Sequence, residues 1–134
     1  MVKVTVEADC GNAPRKEFLK QFHIALANSD SDFVIENITD NIHWEIVGNH
    51  TITNKKEFEK RILDSPLWNV KELVIDAIIT HGNEASANGT VVTSDDLKFA
   101  FCNVYKFKGF KGTLLKSIQT YLIEFWKKPV ANIV

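Results

Sequence analysis

The sequence predicts an α+β domain, with three N-terminal helices laid on the concave face of a curved antiparallel sheet. Three observations carry this. Apolar residues in the first half recur at helical spacing, those after Trp68 alternate at period two, and turn residues punctuate the second half regularly. Helices followed by a meander of strands is the pattern of an α+β fold, whose sheet needs the helices to cover a face.

Each element has its own signal. Val2, Val4 and Val6 alternate with Lys3, Thr5 and Glu7, which predicts an edge strand or short arm within residues 1–12. Asn12-Ala13-Pro14 supplies a capping residue and a first-turn proline. Phe18, Leu19, Phe22, Ala25 and Leu26 then form the stripe of an amphipathic helix over 14–28. Ser31 or Asp32 caps a second, short helix through Phe33, Val34 and Ile38. Residues 40–48, rich in β-branched and aromatic side chains, read as a short strand, and 51–53 as a brief pairing segment. Asn54 and Glu57 have capping-box spacing for a third helix over 55–63, stopped by Ser65-Pro66. Four long strands follow, over 70–80, 84–94, 97–108 and 114–127. Their connections are His81-Gly82-Asn83, Ser94-Asp95-Asp96 and Gly109-Phe110-Lys111-Gly112.

Length and composition bound the function. At 134 residues the chain reads as a single domain over 1–134, able to bury about two thirds of its unfolded surface. With 45% hydrophobic and 25% charged residues it is an ordinary globular mix. Net charge is −1 and no Lys/Arg run exceeds a pair, which argues against a nucleic acid partner. No apolar stretch approaches the ~20 residues of a membrane span, so no membrane partner is expected. The charged N-terminus lacks the apolar core of a signal peptide, and the expectation is a cytoplasmic protein. Cys10 and Cys102, far apart and without CxxC spacing, read as free thiols. Three Asn-x-Thr sequons carry no meaning without a secretory signal. No cofactor is implied, since phosphate-loop, nucleophile-elbow and reactive-cysteine signatures are all missing.

Two polar residues interrupt apolar strands. Glu45 lies among Ile42, Trp44, Ile46 and Val47, where a carboxylate either points to water or lines a site that uses its charge. If desolvated in a pocket, its pKa would rise and make it a competent base. Asn103 shares a face with Leu97, Phe99, Phe101, Tyr105 and Phe107, and when buried it must satisfy its amide by a structural bond, a water or a ligand. Phe18, Phe22, Phe99, Phe101 and Tyr105 are the expected pocket walls, with core packing as the plain alternative. Trp44 alternates with Glu45 and reads as core or interface. Asp40 reads as a turn or capping residue. His43 and Glu45 share a strand face, and with His23, His50 or His81 could form a two-His, one-carboxylate set; nothing fixes the third ligand, so no metal is expected. The same His-x-Glu pair lacks the Pro-Cys-x-x-Cys of a zinc deaminase. Ala85, Ala87 and Gly89 leave room on one face, either as cavity or for close packing. Both faces of the 97–108 strand are apolar in the middle, and three helices cover one. A homodimer through the outer sheet face is therefore expected.

The Trp44-Glu45-x-x-Gly48 pattern and the segment from Phe101 to Phe107, set in this order of elements, resemble the nuclear transport factor 2-like superfamily. Within it they resemble the SnoaL-like subgroup, over about residues 14–128. The resemblance implies a cone enclosing an apolar pocket, in a superfamily that includes ketosteroid isomerase, polyketide cyclases, epoxide hydrolases and dehydratases, and proteins that only bind or assemble. It places Glu45 where the isomerase has its general base and Asn103 where it has a protonated Asp donor. Phe22 fills the position of the donor Tyr, so one oxyanion donor is lost, which typically costs on the order of 10²–10³ in rate. Three functions follow as expectations. The first is acid–base chemistry on a hydrophobic cyclic or carbonyl compound, with Glu45 as base and Asn103 as hydrogen-bond donor. The second is non-catalytic binding of a small apolar molecule. The third is a dimeric interaction domain whose pocket is filled. An open cavity joining Glu45 and Asn103 favours the first, a cavity without an accessible carboxylate the second, and a closed interior the third.

Overall fold

The helical half starts where proline fixes the first turn. In the computed structural model, which describes residues 2–126, α1 (Pro14–Ala27) begins at Pro14 behind Ala13, with no side-chain cap, so Asn12 does not serve as the cap. Its stripe buries Phe18, Leu19, Phe22, Ala25 and Leu26 as expected, and adds His23. α2 (Ser31–Glu36) is capped one residue earlier than expected, by Asp30, whose side chain accepts from the Phe33 amide. It also ends sooner. Ile38 is already in β2 (Ile38–Ile46), because the Leu115 amide bonds the Asn37 carbonyl and draws the chain into the sheet. β3 (His50–Ile52) pairs antiparallel with β2, and α3 (Lys55–Arg61) carries the expected Asn54–Glu57 cap. A 3₁₀ turn, Ile62–Asp64, extends it.

The sheet half comprises β4 (Glu72–His81), β5 (Glu84–Val92), β6 (Lys98–Phe107) and β7 (Leu115–Glu124), an antiparallel meander. β1 (Lys3–Val6) adds parallel to β4, and β2 adds parallel to β7, giving the order β1-β4-β5-β6-β7-β2-β3. Neither parallel pairing was legible, because each joins strands far apart in sequence.

A bulge and a glycine bend this sheet. The β4–β5 register shifts between Ile75 and Ala77, so Leu73 and Ile75 point inward, and then Ile78 does. Opposite Ile75 sits Gly89, where a Cβ would lie 1.9 Å from the Val74 carbonyl oxygen. Only a residue without a side chain allows that approach. Ala85 and Ala87 are buried beside it, so the small residues serve close packing. The helices fill the concave side with a core running from Leu19 and Phe22 through Ile42 and Trp44 to Tyr105 and Leu115.

Candidate functional site

On the concave side, α1 and β6 bring together three polar residues. His23 lies one turn from Leu19 and Leu26 on the buried stripe, and its ring stacks on Phe101 at 4.9 Å. Asn103 Nδ2 donates to the Tyr105 hydroxyl at 2.9 Å, and that hydroxyl lies 2.6 Å from His23 Nε2. Burial pushes His23 down to about 3, so the imidazole is neutral near pH 7. Burial also raises the Tyr105 phenol, against a smaller opposing effect of the Asn103 bond. A protonated phenol that accepts from Asn103 donates its own hydrogen to the neutral Nε2. Asn103 Oδ1 is left over, a buried acceptor with no partner in a residue only 2% exposed.

Asn103 forms part of the wall of a small void of about 10 Å³, with Phe22, Leu26, Trp44, Phe58, Ile62, Leu67, Ile118 and Thr120. That is room for about one water. The Trp44 indole donates to Thr120 Oγ1 at 2.9 Å, and this pair also borders a second, outer space of about 330 Å³. Ile46, Phe99 and Leu122 form the apolar wall of the outer cleft, while Asn49, Arg61, Asp64 and Ser65 supply polar groups. The concave face thus has an outer cleft and a nearly closed inner end, with Trp44 and Thr120 common to both.

Glu45 belongs to neither space. It pairs in register with Gln119 on β7, whose Nε2 donates to Glu45 Oε1 at 3.2 Å, whereas the neighbouring pair Trp44 and Ile118 is buried. Alternation therefore turns Glu45 to the uncovered face, beside Val104 across from Gln119. The expected base points away from the cone, because Trp44 takes the inward position and no bulge intervenes between them. Among the expected walls, Phe99 lines the cleft and Phe22 the void. Phe18 packs on Phe22, Phe33 and Phe107, and Phe101 and Tyr105 are fixed against His23, all three within the core. Asp40 is exposed and pairs with Lys55 at 3.5 Å. His43, His50 and His81 are exposed, and no group of three potential metal ligands occurs among the described residues. Cys10 and Cys102 are free.

His23 and Thr120 were not foreseen as polar partners. His23 was legible, since Leu19, Phe22, His23 and Leu26 follow the i, i+3, i+4, i+7 stripe. Thr120 was not, because its role depends on the parallel register of β2 against β7.

No family model matches the chain, and no curated protein matches it. Solved structures do. An NTF-2 like protein of unknown function from Burkholderia xenovorans superposes with a TM-score of 0.72 at 13% identity, covering 92% of this chain and 93% of that one. A ketosteroid isomerase-like protein from Kribbella flavida gives 0.68 at 10% identity, over 86% and 82%. An LEH-like epoxide hydrolase of M. tuberculosis gives 0.65 at 19%, over 81% and 82%. The chain has the nuclear transport factor 2-like fold, an α+β cone with a curved, unclosed sheet. Its likeness to these proteins is one of fold, which hosts many unrelated activities. No helix among the described residues is long and apolar enough to cross a membrane.

Proposed function

We propose that the protein binds a small, mostly apolar molecule in the outer cleft without converting it, with Asn103 as the polar anchor at the inner end. One observation carries this reading: a cleft with one apolar wall shares Trp44 and Thr120 with a void bordered by Asn103, whose buried acceptor Oδ1 has no partner. A cleft of about 330 Å³ falls at the lower end of small-molecule sites. The carboxylate expected to act as base lies on the other face, which removes the support for acid–base catalysis by Glu45. Asn103 takes a different part from the donor first expected of it. Its Nδ2 is turned to Tyr105, and the atom left over is an acceptor, so the fitting ligand carries a hydroxyl or N–H rather than a carbonyl at its inner end. Such a head group reaches Asn103 by parting the Trp44–Thr120 bond.

Calorimetric titration with 2-naphthol and with 2-methoxynaphthalene, which lacks the hydroxyl hydrogen, tests this. The naphthol should bind about tenfold more tightly, the worth of one buried hydrogen bond. Asn103→Leu should erase that preference and Glu45→Gln should leave it intact. Equal binding of both compounds would overturn the anchor, and binding of neither would overturn the cleft.

We infer further that two copies associate through the uncovered face. Ile79 is 62% and Ile123 70% exposed there, and Tyr121 and Phe125 continue the apolar surface over Ala100, Cys102 and Val104. Ile79 lies on β4 and Tyr121 and Ile123 on β7, so a two-fold copy set across the sheet covers both strands at once. Sedimentation velocity should give a dimer that Ile123→Lys converts to monomer; a monomeric parent would exclude it.

A further inference from the structure

The loop joining β6 to β7 carries a charge pattern that the cone does not use. Between Leu97 and Ile123 the sequence holds five lysines, Lys98, Lys106, Lys108, Lys111 and Lys116, and no Asp or Glu. In a chain of net charge −1, that is a strong local excess. Lys106, Lys108, Lys111 and Lys116 gather at the loop end of the hairpin, all exposed, and among the described residues none of them makes an ion pair. The nearest acidic residue in register is Glu84, opposite Lys106 on β5.

At the tip of the same loop stands Phe110, 98% exposed. The loop that presents it is held in place. Arg15, from the first turn of α1, donates to the carbonyls of Gly82 at 3.0 Å, Gly109 at 3.1 Å and Gly112 at 3.0 Å, with its guanidinium 4.4 Å over the Phe107 ring. Gly109 and Gly112 adopt φ of 74° and 87°, which a side chain would resist. An aromatic ring is thus displayed in water on a preformed loop, so docking it costs little further ordering. Beside it runs a shallow groove of about 420 Å³ lined by Ala13, Pro14, Thr80 and Gly82.

We propose that this hairpin tip is a contact surface for an anionic lipid bilayer, with Phe110 inserted among the head groups and the four lysines against lipid phosphates. Lysines act as point charges on flexible stems, which suits a diffuse charged plane; arginine forks would suit discrete phosphates. One ring at a tip, in place of a row of rings along a groove, fits insertion into a bilayer better than stacking on a nucleic acid strand. Surface contact of this kind needs no spanning segment. It also lies at the opposite end of β6 from Phe99, so the outer cleft stays open when the tip is docked.

Vesicle flotation tests the proposal, comparing phosphatidylcholine alone with an equal mixture of phosphatidylcholine and phosphatidylglycerol. The protein should float with the mixed vesicles, not with phosphatidylcholine alone, and release as salt is raised. Phe110→Ser should weaken binding about tenfold. Lys108→Gln and Lys111→Gln should each weaken it about fivefold. Thermal melts of these variants should match the parent, since Phe110 touches no part of the core. No binding to the mixed vesicles, equal binding to both, or binding unchanged by Phe110→Ser would overturn the proposal. So would tighter binding to a single-stranded oligonucleotide than to the vesicles.

Discussion

Asn103 and Glu45 are each a lone polar residue in an apolar strand, yet the sheet treats them in opposite ways. Asn103 on β6 shares the inward face with Phe101 and Tyr105 and is held by a buried chain of hydrogen bonds to His23. Glu45 on β2 sits one residue from a buried Trp44 and is turned outward to a single glutamine. Parity along the strand, more than residue chemistry, decides which polar group can meet a ligand. The bulkiest apolar neighbour takes the core, and its immediate neighbour goes to the other side.

The contrast can be strained hardest with acid. Folded His23 has its pKa depressed to about 3, below the unfolded value of about 6.5. Below pH 6.5 the unfolded chain binds a proton that the folded one refuses, so stability should be flat above that pH and fall as pH drops toward 3. This group should contribute a slope approaching 1.4 kcal/mol per pH unit. Urea melts across that range should show a shallower slope in His23→Gln, which keeps an acceptor for Tyr105. Identical slopes would mean that His23 is solvated.

Removing the central hydroxyl is the next strain. Tyr105→Phe leaves His23 Nε2 and the Asn103 amide buried without partners, and should cost about 3 kcal/mol in chemical denaturation. Thr120→Val should cost about 1 kcal/mol, because the Trp44 indole loses its acceptor at the partition between cleft and void. Glu45→Gln should change stability by less than about 0.5 kcal/mol, as for other partly exposed polar positions. A large loss on Glu45→Gln, or a negligible one on Tyr105→Phe, would break the contrast between the two residues.

Much of the architecture was legible from local rules. The first helix stripe, the Asn54 cap and the meander of four strands each follow from periodicity and capping chemistry that adjoining residues supply. The two faces of β6 followed from alternation alone. What escaped depends on distant partners. Ile38 left the second helix because Leu115, far along the chain, pairs with it. The inward direction of Ile78 depends on a bulge that shifts the period within β4. Glu45 stands out by its apolar surroundings, but alternation with the inward Trp44 decides its direction. Asp64 and Ser65 at the cleft lie in and after the 3₁₀ turn that follows α3, where no periodic signal marks them.

The most direct test of the account is a two-dimensional NMR titration with 2-naphthol, following side-chain resonances of Trp44 and Asn103 beside those of Gln119. The account predicts that the Trp44 indole N–H and the Asn103 carboxamide shift together and saturate, while the Gln119 carboxamide next to Glu45 stays in place. Shifts confined to Gln119 and its neighbours on the uncovered face, with Trp44 and Asn103 unmoved, would contradict it.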